Sequence, residues 1–153
     1  MRVFSGKNPG VLAYGSGCVG TNGKVPTIGI TGTPKVGQPF TVHLSQALPG
    51  TLAILLQGYS STSWNAFPLP LDLGFLGMGG CKLLAAPQFL SSKFASVGAT
   101  AGLGKASHTY LVPSPSAAGI TAYVQWYATD PGPWFLAALP GRTSGALALT
   151  IQP

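Results

Sequence analysis

The chain has 153 residues, of which 46% are hydrophobic and only 7% are charged, and its formal net charge is +6. Its only acids are Asp72 and Asp130. Paired catalytic carboxylates, an acid-rich metal cage and carboxylate-oriented histidines are therefore almost excluded. We expect a single-domain protein that is not an enzyme and that uses no cofactor or metal.

The eight Lys and Arg residues are scattered singly, without a basic run. A surface that follows phosphates needs clustered cations, so we predict no nucleic-acid partner. The longest apolar run falls far short of the roughly 18 residues of a membrane helix, so we predict no membrane insertion. Polar residues interrupt the first segment, which does not resemble an intact secretory signal. Either a signal has been removed or the protein leaves the cell by another route.

Residues 1–24 are rich in glycine and predict an extended N-terminal arm, followed by one domain over residues 25–153. In that domain, apolar or alternating runs bounded by Gly and Pro predict short strands. In chain order these strands cover residues 26–31, 40–45, 51–57, 82–86, 105–112, 120–129 and 145–151, with 94–100 as a further candidate. The prolines within residues 67–73 restrict any strand there to a sheet edge. The strand at 51–57 is apolar on both sides, which predicts a central position in its sheet.

Closely spaced strands without a long helical pattern are typical of an all-β protein. We predict an antiparallel β-sandwich of seven to eight strands. Its form is expected to be immunoglobulin/fibronectin-like or jelly-roll-like. The fold class alone does not imply a function.

Cys18 and Cys81 lie in glycine-rich settings, without a CxxC motif or a Cys/His cluster. A disulfide between them is the predicted use, and two buried free thiols are the alternative. A catalytic cysteine is disfavoured because no histidine and acid pair accompanies either residue. On the chain-entropy model, closing the loop between them would stabilise the fold by about 4 kcal/mol.

Several fragments together carry a resemblance. They are, in matching order, YGSGC at 14–18, NG at 22–23, GTPKVGQPFTVHLSQALPGTLAILLQG, LPLDLGFLGMGGCKLL, AYVQWYATDPG and SGALALTI. From Tyr14 onward the chain resembles an uncharacterised family of secreted β-sandwich domains of planctomycete-type bacteria. The resemblance implies an extracellular or envelope-associated sandwich with bridged cysteines, and it brings no catalytic residues. The chain departs from the pattern at the Met-Gly-Gly before Cys81, where Met-Pro-Gly is more usual.

The titratable side chains are expected to have structural roles. His43 and His108 lie on the polar side of alternating strands, which predicts solvent-facing or cross-strand hydrogen-bonded rings rather than catalytic bases. Asp72 and Asp130 adjoin turns, where a carboxylate accepts backbone N–H groups two residues further on. A calcium site built from both aspartates and carbonyl groups is the alternative.

Aromatic residues are the candidate contact residues. Aromatic residues in or beside loops are Tyr59, Trp64, Phe67, Trp134 and Phe135, and of these Tyr59, Trp64, Trp134 and Phe135 are the predicted contact residues. Their flat rings could stack on sugars or pack against a neighbouring subunit. Trp126 and Tyr127 point to opposite faces of one predicted strand, so one of the two is expected in the core.

A surface with so little charge offers little repulsion between copies of the chain. We therefore predict an extracellular or cell-surface structural subunit or interaction module. It would self-associate as a homo-oligomer or polymer in a filament, surface layer or particle. The N-terminal arm could pair with a neighbour's sheet edge, or fold back on its own domain, anchored by Cys18. The alternative function is a carbohydrate-binding or adhesive domain with a polysaccharide partner.

Overall fold

A computed structural model of the chain describes residues 9–20, 23–47, 52–76, 78, 80–94, 104–129 and 141–153. These residues contain twelve strands and two short 3-10 helices, Gly74–Leu76 and Pro115–Ala117. The strands are β1 (Val11–Tyr14), β2 (Thr27–Thr31), β3 (Phe40–Ala47), β4 (Leu52–Gly58), β5 (Ser63–Trp64), β6 (Phe67–Pro68), β7 (Leu71–Asp72), β8 (Lys82–Leu83), β9 (Phe89–Phe94), β10 (Gly104–Tyr110), β11 (Thr121–Thr129) and β12 (Gly141–Thr150). No helix in the described ranges is long and apolar enough to cross a membrane.

Two antiparallel sheets form a sandwich. The five-stranded sheet has the order β1-β12-β11-β4-β9, and the three-stranded sheet has the order β10-β3-β2. The predicted antiparallel β-sandwich is confirmed. So is the central position of the strand predicted at 51–57, because β4 lies between β11 and β9.

The main hydrophobic core lies between the two sheets, because alternate residues of each strand point inward. On β3, Phe40, Val42 and Leu44 are buried while the residues between them are partly exposed. Trp126 on β11 is fully buried in the same core. Its neighbour Tyr127 packs instead on the outer face of the five-stranded sheet. Trp126 is therefore the core member of the pair that the alternation predicted.

The connection from β4 to β9, residues 59–88, is here called the insertion. It contains the two small hairpins β5–β6 and β7–β8 and covers part of the outer face of the five-stranded sheet. Its apolar side chains form a second core, against which Leu56 and Tyr127 of the sheet pack. The buried members of this second core are Cys18, Leu69, Leu73, Met78, Cys81, Leu83 and Ala86.

Cys18 and Cys81 form a disulfide, with their Cα atoms 5.0 Å apart. The bond confirms the predicted pairing. Cys18 lies between β1 and β2, whereas Cys81 immediately precedes β8 in the insertion. The disulfide therefore ties the N-terminal part of the chain to the insertion, and both sulfurs belong to buried residues.

Two segments differ in detail from the sequence-based expectations. Part of the predicted arm forms β1, which pairs antiparallel with β12 of the same chain, while the boundary at residue 24 stays a prediction. Strand β9, Phe89–Phe94, pairs with β4 where the sequence predicted no strand before residue 94, and of the strand predicted at 94–100 only Phe94 is described. Residues 95–103 lie outside the described part. Pairing with a buried neighbour decides where this strand begins, and local sequence does not report that pairing.

Candidate functional site

Several large apolar side chains are exposed on the described surface. They are Leu12, Val19, Tyr59, Phe67, Phe75, Phe89, Leu90, Leu111 and Ile120. Scattered apolar residues are ordinary on protein surfaces, whereas a cluster of them marks a contact site. Three of these residues, Tyr59, Phe89 and Ile120, line one groove.

The end groove, as we call it, opens at the end of the sandwich where β4 and β10 end and β9 and β11 begin. Its volume is about 230 Å³. Phe40 and Tyr110 of the three-stranded sheet line one side, and Val124 of the five-stranded sheet lines the other. The groove is thus an opening of the main core between the sheets. Its described lining contains no His, Cys, Asp, Glu or Lys side chain.

The polar groups of the end groove bond to one another. The Tyr110 hydroxyl donates to Gln57 Oε1, and Gln57 Nε2 donates to Ser91 Oγ over 2.8 Å. Burial raises the pKa of Tyr110 above its ordinary value of 10.0, so the phenol keeps its proton into alkaline solution. The polar groups of Tyr110, Gln57 and Ser91 thus bond to one another within the protein. What the groove offers to a partner is mainly apolar contact.

Tyr59, a predicted contact residue, lies at the rim of the end groove. Its side chain is 59% exposed, and its ring meets the 57% exposed Phe89 ring edge to face, with centroids 6.1 Å apart. The Tyr59 backbone N–H donates to Gln88 Oε1 over 2.7 Å, which fixes the start of the insertion here. The two rings stand at 80° to each other. They therefore form two walls of the rim rather than one flat platform.

The other predicted contact residues do not join Tyr59 in the groove. Trp64 on β5 is partly buried against the second core, and its ring centroid lies 6.4 Å from that of Phe67. Trp134 and Phe135 lie outside the described residues, so their contact role stays a prediction. The sequence did not predict Phe89 as a contact residue, because a single apolar residue shortly after a proline does not indicate whether its side chain is exposed.

The structure gives two of the titratable side chains the predicted local roles. His43 Nε2 on β3 lies 2.6 Å from Thr31 Oγ1 on β2, a cross-strand hydrogen bond. Asp72 Oδ1 accepts the Gly74 N–H over 2.8 Å in a turn. Asp130 lies outside the described residues. In the part of the chain that the structure describes, no three His, Cys, Asp or Glu residues are grouped to hold a metal ion.

No protein-family model, curated protein or solved structure matches the chain. The resemblance to a planctomycete-type secreted family therefore stays a prediction. The site evidence consists of the end groove, the exposed edge strands of the five-stranded sheet and the buried disulfide. The chain is thus a disulfide-bonded antiparallel β-sandwich with exposed apolar side chains at one groove and at two sheet edges.

Proposed function

We propose that the chain is a non-enzymatic structural subunit or interaction module that acts outside the cell and associates with copies of itself. The observation that carries the proposal is the placement of its exposed apolar side chains. Leu12 lies on edge strand β1, and Phe89 and Leu90 lie on edge strand β9. Edge strands with exposed apolar residues pair readily with other chains. Because only 7% of residues are charged, little repulsion opposes that contact.

The Cys18–Cys81 disulfide supports the proposed location. Disulfides persist in oxidising compartments and at cell surfaces, whereas cytosolic thiols are kept reduced. Because it is buried in the second core, this bond is a structural disulfide. We therefore propose that the association takes place in an extracellular or envelope setting, where the disulfide stays oxidised.

Sedimentation velocity of the full chain tests self-association. Across about 1 µM to about 1 mM protein, we expect the average mass to rise above the 15.5 kDa of the monomer. Apolar contact should survive about 1 M salt, which would screen an association between charges. A single monomeric species at every concentration would contradict the proposal.

A carbohydrate-binding or adhesive role is the second candidate, and the exposed Tyr59 ring at the rim of the groove favours it. Polysaccharide pull-down with Tyr59→Ala tests this role, because loss of one stacking ring weakens sugar binding. Phe75→Ala is the matched control, since Phe75 is 71% exposed and lies outside the groove lining. Binding that is lost with Tyr59→Ala alone supports the second candidate. Equal loss in both variants, or no binding by the natural chain, contradicts it.

A further inference from the structure

Strand β1 is an edge strand without the usual protection. In the described structure it pairs only with β12, on one side. Soluble proteins protect such edges with charged residues, prolines or bulges. Residues 11–14 read VLAY, and residues 9–20 contain no charged side chain. Among the described residues no strand pairs with the open side of β1, so this side can accept a strand of another chain.

The pairing of β1 with β12 shows which backbone groups face that open side. Thr150 N–H donates to Gly10 C=O over 2.7 Å, directly before the pairs Val11↔Leu149 and Leu12↔Ala148. Hydrogen-bonded and non-hydrogen-bonded pairs alternate along an antiparallel ladder. Leu12 therefore bonds to β12 through its backbone. The N–H and C=O groups of its two neighbours in β1 point to the open edge.

The other described edge strands of the two large sheets carry a lysine or terminal threonines in their sequences. Strand β9 contains Lys93 and β10 contains Lys105, while the exposed ends of β2 are Thr27 and Thr31. On β1 the exposed large side chain is Leu12, at 66%. Among the edge strands that the structure describes, only β1 thus combines an uncharged sequence with an exposed large aliphatic side chain.

We propose that β1 pairs antiparallel with β1 of a second copy, across a two-fold axis at Leu12. This pairing rests on the proposed self-association and names its surface. The backbone N–H and C=O of Val11 that face the open edge then bond to those of Ala13 in the second copy. Ala13 bonds in the same way to Val11 of the second copy. Leu12 faces Leu12 of the second copy at a non-hydrogen-bonded position, with Cα atoms about 4.5 Å apart.

The register follows from the limits of the strand. An axis at Ala13 would also match the open groups, but it would require Gly15 to continue the ladder. Gly15 has a φ of +69°, which is outside the extended region, so β1 ends before it. The axis at Leu12 uses only extended residues. Because the contact is isologous, it closes as a dimer and joins the two five-stranded sheets into one.

Leu12→Lys tests the pairing without touching the bonds to β12. Two lysines would face each other at the axis, so we expect the dimer Kd to rise at least about tenfold. Leu111→Lys is the matched control, because Leu111 is 60% exposed and lies outside β1. Far-UV circular dichroism of both variants checks that the fold is kept.

Cysteine cross-linking tests the register directly. Under oxidation, Leu12→Cys should form a covalent dimer, since facing residues of a non-hydrogen-bonded pair lie within disulfide reach. Ala13→Cys should not, because it faces Val11 of the second copy and lies beyond about 7 Å from its own equivalent.

The outcomes separate the two proposals. A natural chain that stays monomeric at every concentration overturns self-association and this pairing together. If the natural chain associates, while Leu12→Lys associates equally well and Leu12→Cys does not cross-link, the β1 pairing is wrong and self-association stands. Selective weakening by Leu12→Lys together with selective cross-linking at residue 12 supports both.

Discussion

Gln125 is the polar side chain that holds the insertion on the sheet, and replacing it with leucine tests that role. It lies on the outer face of β11 and is fully buried. Its Oε1 accepts the Leu84 N–H over 2.9 Å. Its Nε2 donates to the carbonyls of Lys82 over 2.9 Å and Ser144 over 2.8 Å. Three backbone groups of two separate segments thus depend on one side chain.

Gln125→Leu keeps a similar size but removes every one of these bonds. A buried N–H left without a partner costs about 1–3 kcal/mol, and each weakened carbonyl adds about 0.5–1.5 kcal/mol. The apolar contacts of leucine offset part of this loss. We expect the free energy of unfolding to fall by about 2–4 kcal/mol, a large share of the roughly 5–15 kcal/mol of a typical domain.

Guanidinium unfolding, followed by the fluorescence of the buried Trp126, measures this loss as a shift of the midpoint. Gln38→Leu is the matched control, since it makes the same chemical change at an exposed position. The control should stay within about 0.5 kcal/mol of the natural chain. Equal effects of the two variants, or a loss at Gln125 below about 1 kcal/mol, would refute the reasoning.

Three further predictions concern stability. Replacing Cys18 and Cys81 with serine should lower the free energy of unfolding by about 4 kcal/mol in denaturant titrations, because the unfolded chain regains the entropy of a long loop. Raising the pH above 10 should destabilise the fold, because burial raises the folded-state pKa of Tyr110 above the ordinary tyrosine value of 10.0. The contribution of this phenol is complete below pH 10 and falls by up to about 1.4 kcal/mol per pH unit above it. Gly58→Ala should cost about 1–3 kcal/mol in thermal unfolding, because its Cβ would collide with a backbone carbonyl of the insertion.

Each of these three stability predictions would be contradicted by a specific result. A serine double variant that loses less than about 1 kcal/mol would show that the disulfide does not restrain the unfolded chain. Tyr110→Phe should flatten the alkaline decline, and an unchanged slope would contradict the titration of that phenol. Gly29→Ala is the control for Gly58, since nothing lies near its Cβ position, and an equal loss in both variants would contradict a steric cause.

The sequence predicted those features of the fold that depend on a single strand or turn. The alternation on β3 reports a strand with one buried face, because side chains of a strand point to opposite faces in turn. The same rule placed Trp126 or Tyr127 in the core. The roles of His43 and Asp72 were predictable as well, since both depend on bonds to a neighbouring strand or turn.

The insertion was not predictable in this way, because its packing depends on contacts between distant segments. Gln125 stands in an alternating strand, where a polar residue is expected to face solvent. Only the covering segment at residues 82–86 buries it. The end groove has the same origin. It joins Tyr59 of the insertion, Phe89 of β9 and Ile120 of the connection between β10 and β11, so the sequence indicated only the exposed Tyr59 ring.

The insertion also determines which part of the sheet remains open. It covers the outer face around Leu56 and Tyr127, whereas the exposed Leu12 lies outside that cover. Association through the covered face would require the second core to separate, but association through β1 leaves both cores intact. The scarcity of charge matters here, because edge strands are ordinarily protected by charged residues and β1 has none. One lysine at residue 12 would restore that protection at little cost to packing, which is why this change should separate association from folding.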